Sequence, residues 1–468
     1  METETENSFR DTISIVDEKG GRKWVYPKKP KGKFYNARII VSIILLAFLF
    51  GVPFIKVDGH PFLLFDIINR NFIIFGTLFT PSDFYLFGLI MISVFVFLFL
   101  ITALFGRIFC GWICPQTIFL EMVFRRIEYL IEGDYTKQKT LNKSRWTSEK
   151  ILKKTLKYSI FFVLSFVIAN TFLAYIIGVD KLFHIMSEPV TSHLSGFIAI
   201  MVFTGLFYFV FAWFREQACI LVCPYGRLQS VMLNKSSVVI AYDFIRGEPR
   251  GKIGAKTNGK FNAENKGDCI DCKKCVYVCP TGIDIRNGTQ LECVNCTACI
   301  DACDSIMDSI DKPRGLIRYA SMEGIENKTG FKFTLRVAGY ISVLIILIAI
   351  ITTIFITRED LDVSILRTQG ALYQKMPDNK VSNIYNVKLS NKTFKDIPIN
   401  FRLKESEGEI KIIGNEVNLK SAGIYEGSLL IILPRESIKT VNTDLKIDVY
   451  TGDEFIYETE TSFLGPVN

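Results

Sequence analysis

The residues best equipped for chemistry in this 468-residue chain are its twelve cysteines, all of which fall between Cys110 and Cys303. Eight of them form two runs, Cys269-x2-Cys272-x2-Cys275-x3-Cys279-Pro280 and Cys293-x2-Cys296-x2-Cys299-x3-Cys303. Two-residue gaps let three thiolates of one tight loop reach adjacent iron corners, and in two-cluster ferredoxins the fourth cysteine crosses to the other cluster. Applied here, that rule puts Cys269, Cys272, Cys275 and Cys303 on one [4Fe-4S] cluster and Cys279, Cys293, Cys296 and Cys299 on a second. A four-thiolate zinc site is the competing chemistry, but zinc sites usually group their cysteines in separated pairs. The second run lacks the proline that follows Cys279, which bears on loop geometry more than on ligation. Asp268, Asp271, Asp301 and Asp304 lie around the runs, with Lys273 and Lys274 inside the first. They read as an ordinary solvated face, or as charge that tunes a potential or steers a soluble electron donor.

The other four cysteines form two matching pairs, Cys110-x3-Cys114-Pro115 and Cys219-x3-Cys223-Pro224. Positions i and i+4 of a helical turn share a face, so each pair can aim both thiols at one partner. Buried thiols that merely pack are the default for a single cysteine; four in two equivalent settings favour thiol redox chemistry or transient capture of a soft ion such as Cu(I). Arg107, Arg125, Arg126, Arg215 and Arg227 surround the pairs and read as topology anchors, although cations nearby also favour thiolate. His60, His184 and His193 are the chain's histidines, and with Met186 they offer a weaker candidate for copper entry.

These groups must be held by something, and long uncharged runs say what. Hydrophobic residues make up 49% of the chain, including 39 Phe. Apolar stretches at 39–55, 84–106, 158–179, 194–214 and 337–357 each approach the length of a bilayer crossing, which predicts five transmembrane helices. The run from Phe72 to Phe79, interrupted by Gly76 and closed by Pro81, reads as an outer or interfacial segment. No span carries a charge in its interior, which argues against a transporter. The net charge of +8 reads as a topology signal rather than a nucleic-acid footprint, because basic residues crowd the tail before residue 39 and the segment 107–157. The positive-inside rule then gives a cytoplasmic N-terminus, cytoplasmic cysteine runs between the fourth and fifth spans, and an outer C-terminal region. The dense cysteines suit a reducing compartment. Beyond residue 358, Leu445, Ile447 and Val449 alternate with Lys446, Asp448 and Tyr450, Gly452-Asp453 marks a turn, and Gly427 to Leu433 is a further strand stopped by Pro434. About a hundred residues of short strands predict a β-sandwich.

The chain divides accordingly into a basic tail (1–38), a bundle with four spans and both Cys-x3-Cys-Pro motifs (39–230), a dicluster ferredoxin-like domain (231–336), a fifth span (337–357) and a β domain (358–468). In that order of parts it resembles the FixG/CcoG/RdxA cytochrome c oxidase accessory proteins, polyferredoxins of the bacterial inner membrane. The resemblance rests on Cys110-Gly-Trp-Ile-Cys114-Pro115, Cys219-Ile-Leu-Val-Cys223-Pro224, the segment Cys269 to Cys303 and the C-terminal β region. It implies an immunoglobulin-like sandwich in the periplasm and a part in assembling a haem-copper cytochrome c oxidase of the cbb type, by reducing Cu(II) to Cu(I). The implied partners are the oxidase or its copper-delivery factors. The four paired cysteines would be the redox site and the later eight would hold the clusters. The electron donor is unspecified and homo-oligomerisation is open. A membrane quinol dehydrogenase or electron relay is the rival enzyme class, and an oxidase assembly scaffold the nonenzymatic one.

Overall fold

The structure, a computed structural model, describes residues 15–16, 21–67, 71–252, 267–328, 335–368, 370, 372–404, 407–414, 417–438 and 440–466. By internal contacts the chain forms two units, one of Met1–Val52, Ile92–Ala174 and Asp180–Ile346, the other of Pro53–Met91, Tyr175–Val179 and Leu347–Asn468.

Six helical stretches among the described residues are long and apolar enough to cross a membrane. Five are the predicted spans: Lys33–Phe54, Phe84–Phe105, Ser148–Ile177, Val190–Phe214 and Val337–Ile356. Their outward side chains, among them Ile44, Phe95, Val202 and Ile345, are exposed, an arrangement that lipid rewards and water penalises. The third span starts ten residues before the apolar run because Lys150, Lys154 and Lys157 sit on its first turns, where Lys154 and Lys157 find Glu132 at 2.8 and 2.9 Å. Charge obscured a helix there that ion pairing sustains. The sixth stretch, Ile108–Ile131, falls in what the sequence marks as a connecting segment. It is interrupted at Cys114, where Pro115 opens the next turn, and it passes through a π-helical turn at Phe119–Phe124. Phe119, Leu120 and Phe124 on it pack with Phe161, Ile168 and Phe211 in a buried apolar core.

In the same unit the cysteine-rich module is built around a two-stranded antiparallel ladder, Val239–Tyr242 against Ile317–Ala320, and the helices Lys274–Tyr277 and Ala298–Ser309 that carry cysteines. It is stitched to the end of the second span. The last carbonyls of a helix lack intrahelical partners, and here Ala103, Leu104 and Phe105 accept from Ser237 Oγ (2.7 Å), Val238 N (2.8 Å) and Asn295 Nδ2 (3.1 Å).

The other unit carries the β domain. One sheet runs in the order Glu409–Ile413, Ile424–Pro434, Lys380–Asn391, Leu361–Arg367, with Gln374–Met376 also on Lys380–Asn391. The second runs Val417–Leu419, Ile397–Leu403, Asn442–Thr451, Glu454–Leu464. All pairings in both are antiparallel. Leu445, Ile447 and Val449 point inward with Tyr385, Leu389, Ile431 and Phe463, as the alternation predicts. Asp448, assigned by that alternation to the outer face, is nevertheless mostly buried. The Phe72–Phe79 run is not a span: Asn71–Ile74 and Thr77–Phe79 join Leu63–Asp66 in a three-stranded meander. Asp83, beyond the meander, is buried with Arg358 and Lys392, each 2.8 Å from its carboxylate.

Candidate iron-sulfur and thiol site

The two cysteine runs fold as near copies. In each, the residues on either side of the second cysteine have left-handed backbones: Asp271 and Lys273 (φ 52° and 55°), Asn295 and Thr297 (φ 52° and 64°). Asp and Asn tolerate that region, but a β-branched Thr there is costly and marks a loop held by its surroundings. Backbone alternating between right- and left-handed conformations gathers N–H groups into a concavity suited to an anionic group. A short helix follows each loop and brings round the third cysteine.

The loops enclose two cavities of similar size. Cys269, Cys272, Cys275 and Cys303 line one; Cys279, Cys293, Cys296 and Cys299 line the other, with Cys275 in the wall of both. Cys303 lies with the first run and Cys279 with the second, the grouping that crossed ligation would need. Beyond the thiols the linings are chiefly apolar, with Ile283, Ile285, Val294, Ile306, Met307 and Leu316. Four soft donors in an apolar wall, twice over, fit two [4Fe-4S] clusters. Burial pushes the Cys275 and Cys303 thiols up to about 12, so filling such a cavity with metal must displace protons. Among the described residues no three Cys, His, Asp or Glu side chains close on a single metal ion.

The paired cysteines adopt a common turn, though not one regular helical turn as the i, i+4 spacing suggests. Cys114 N–H donates to Phe109 O and Cys223 N–H to Ala218 O, each at 2.9 Å and each spanning five residues. Both second cysteines then cap a helix that opens with proline, whose fixed φ and missing N–H suit that position. π-type turns at Phe119–Phe124, Val210–Phe214 and Ala218–Val222 cluster around the motifs, as π-bulges often do at functional sites. All four thiols are half-buried. Burial pushes the Cys219 thiol up to about 12, with further upward contributions from Cys114 and Cys223 and a downward one from Arg107. Arg107 is buried and donates to the Gly226 carbonyl, tying one motif to the other.

The quartet abuts the second cavity. A Cβ on Gly111 would lie 2.5 Å from the Asn295 carbonyl oxygen and 2.6 Å from that of Val294. Arg38 bridges the same contact, Nε to Gly111 O at 2.9 Å and Nη1 to Cys296 O at 3.1 Å, and Trp112 Nε1 donates to Tyr319 OH at 3.3 Å.

Several charges assigned from sequence to anchoring or to a solvated face have other work. Arg125 is buried against Glu121 and Glu216 and donates to Pro280 O at 3.1 Å, just after Cys279. Arg215 is buried in a two-point pair with Glu128 at 2.7 and 2.9 Å. Asp301 accepts from Phe34 N and Tyr35 N at the start of the first span, Asp268 pairs with Arg246 and Lys312, and Asp271 with Arg286. Of the histidines, His184 and His193 meet Glu188 at 3.4 and 2.6 Å, whereas His60 stacks on Phe394.

Apolar helices with a two-cavity cysteine module and a strand sandwich define a membrane iron-sulfur redox protein. Family models agree: residues 214–322 match "4Fe-4S dicluster domain", 87–133 match "4Fe-4S binding domain", and 351–466 match "IG-like fold at C-terminal of FixG". The chain is 33% identical to Protein RdxA of Cereibacter sphaeroides over 387 residues, 80% of each chain. It is 32% identical to nitrogen fixation protein FixG of Rhizobium meliloti, covering 69% of this chain and 61% of that one. A crystal structure of a FixG-related protein from Vibrio parahaemolyticus is 17% identical with a TM-score of 0.20, covering 23% of this chain and 97% of that one. The chain belongs to the FixG family, with RdxA and RdxB among its relatives.

Proposed function

We propose that this protein passes single electrons through its iron-sulfur module to the four paired cysteines, where Cu(II) is reduced to Cu(I) for assembly of a haem-copper cytochrome c oxidase. The contact of Gly111 with the Asn295 loop carries this reading, because it sets the thiol quartet against the second cavity. When bound, two [4Fe-4S] groups supply one-electron storage; Cys269, Cys272, Cys275 and Cys303 hold one, and Cys279, Cys293, Cys296 and Cys299 the other. Cys110, Cys114, Cys219 and Cys223 capture the copper, since thiolate prefers the reduced ion. One electron leaves the module and one enters the copper. Arg107 fastens the two motifs and offsets the negative charge of thiolates there. Positive-inside bias supports a cytoplasmic quartet and module with the β domain on the opposite side, which the family's place in the bacterial inner membrane would make the periplasm.

The test is a double substitution, Cys110→Ser with Cys219→Ser, which keeps side-chain size and removes two soft donors. In anaerobically purified protein, iron and acid-labile sulfide should stay at about eight of each per chain. Dithionite-reduced protein given Cu(II) should form Cu(I), read by a Cu(I)-specific chelator, at least about tenfold more slowly in the variant. An unchanged rate and unchanged copper retention would remove the quartet from the reaction and favour an assembly scaffold; quinol-driven reduction of the module without copper turnover would favour a quinol dehydrogenase.

A further inference from the structure

Of the eight cysteines in the two runs, Cys272 is the exposed one; the others are buried or half-buried. Exposed lysines stand beside it in sequence and on a distant segment bonded to the helix that follows it. Lys273 and Lys274 follow directly and are exposed, and neither forms a salt bridge among the described residues. The second source is the N-terminal segment from residue 21 to 35, which lies across the module as a strap: Lys28 N–H donates to Tyr277 O at 2.7 Å, one helical turn beyond Lys273. Lys28, Lys29 and Lys31 on this strap are exposed. Four acids of the module are engaged, Asp268 by Arg246 and Lys312, Asp271 by Arg286, Asp308 by Arg314 and Asp301 by the start of the first span, while Asp304 accepts the Gly315 N–H. Lys273 and Lys274 therefore stand next to Cys272 with no carboxylate paired to them among the described residues. The second cavity is shielded by contrast: a Cβ on Gly282 would meet Val25 of the strap at 3.2 Å, and buried Arg125 holds Pro280.

We infer that the Lys273–Lys274 turn and the lysines of the strap form a docking surface for a soluble, acidic one-electron donor protein of the ferredoxin or flavodoxin class, seated at Cys272. This rests on the iron-sulfur reading above and adds the point at which electrons enter. The donor is oxidised by one electron, which passes to the group held by Cys269, Cys272, Cys275 and Cys303, with no proton required. Complementary charge speeds such encounters and makes them salt-dependent, and an exposed edge beside the ligand shortens the transfer.

The experiment uses the full, cluster-loaded chain in nanodiscs of neutral lipid, with an acidic plant-type [2Fe-2S] ferredoxin and an acidic flavodoxin as separate probes. Two readouts are taken: the dissociation constant of each oxidised probe at several salt concentrations, and the stopped-flow rate at which each reduced probe bleaches the module's absorbance. Lys273→Glu with Lys274→Glu should weaken binding of at least one probe on the order of tenfold and flatten its salt dependence, while dithionite still reduces the module fully. Lys28→Glu with Lys31→Glu, clear of every cysteine, should act in the same direction and decides the matter should the first variant lose iron. Lys411→Glu, an exposed lysine of the β domain, should change nothing. Failure of both probes to bind wild type, or equal binding by the strap variant, overturns the proposal. So does a loss confined to association with phosphatidylserine vesicles, which would make the face a membrane contact. Copper reduction by dithionite-reduced protein is scored separately, so a failed docking surface and a failed copper site give different results.

Discussion

Gly111 is a residue whose side chain is excluded by backbone on the other side of the contact. The atoms it would meet are carbonyl oxygens of Val294 and Asn295, which cannot rotate aside as a side chain would, so the Cys-x3-Cys turn and the second cysteine loop would have to part. Gly111→Ala should cost about 1–3 kcal/mol, as overpacking does, and lower the midpoint of thermal unfolding. Its sharper signature is selective: iron content stays near wild type, because no cysteine changes, while Cu(I) formation from dithionite-reduced protein slows several-fold. A Gly111→Ala variant with wild-type melting and wild-type copper kinetics would show that this contact neither packs tightly nor conducts. The twelve cysteines were legible in the sequence because their spacing is local. Gly111 was not: it sits inside a quoted motif, yet its reason lies at residues 294 and 295. Arg125 and Arg215 were misjudged for the same cause, since Glu216 and Glu128 lie some ninety positions from them and a window of sequence sees only a basic residue beside an apolar run.

Among whole elements, the meander Leu63–Asp66, Asn71–Ile74, Thr77–Phe79 ends at a buried carboxylate that also holds the chain entering the β domain. Burial alone would raise the Asp83 pKa, but hydrogen bonds from Arg358 and Lys392, with their charges, outweigh it and hold the group below the usual carboxylate range. A depressed pKa contributes stability that is fully present above the unfolded value of about 3.9 and is lost as pH falls through the lower folded value. The contribution should thus be level across neutral pH and vanish only in strong acid. Asp83→Asn removes it at every pH and leaves two cations buried without a carboxylate, a change of about 3–5 kcal/mol for a buried pair. Hydrogen exchange should then quicken in Thr77–Phe79 and Leu361–Arg367 at pH 7, with the difference shrinking only as the pH falls into strong acid. Equal protection in both proteins at pH 7 would mean the ion pairs contribute nothing net. Periodicity revealed the elements themselves well: Leu445, Ile447 and Val449 face the sandwich core as their alternation requires. It missed the meander because Phe72–Phe79 shows no alternation, and the turn at Phe75-Gly76, both with positive φ, is what divides it into two strands.

For the whole molecule the open quantity is the number of membrane crossings, because Ile108–Ile131 is long and apolar enough to be one. An even number would return the C-terminal domain to the side of the N-terminus. Contacts within the cysteine-bearing unit argue otherwise. Near its start this stretch is bonded to the module through Arg38 and the Gly111–Asn295 contact; near its end Arg125 reaches Pro280 and Tyr129 OH donates to Pro27 O at 3.1 Å. A 24-residue helix that crossed the bilayer would carry its two ends about 36 Å apart to opposite sides, whereas this one touches the module or the strap near both. Its later half also buries Arg125 and Glu128 in ion pairs, which protein partners tolerate and a hydrocarbon face does not. These contacts favour a course along the module for this stretch, which leaves the five helices of the predicted spans as those long and apolar enough to cross. Single cysteines introduced at exposed positions into a chain whose native thiols are occupied by metal or blocked beforehand test this with a membrane-impermeant maleimide. A probe at Lys420 should label from the periplasm and one at Lys143 only after the cytoplasmic face is opened. With the N-terminus cytoplasmic, labelling at Lys143 from the periplasm and at Lys420 only after the cytoplasmic face is opened would require Ile108–Ile131 to cross, and would put the Cys219–Cys223 pair on the opposite side of the membrane from Cys110.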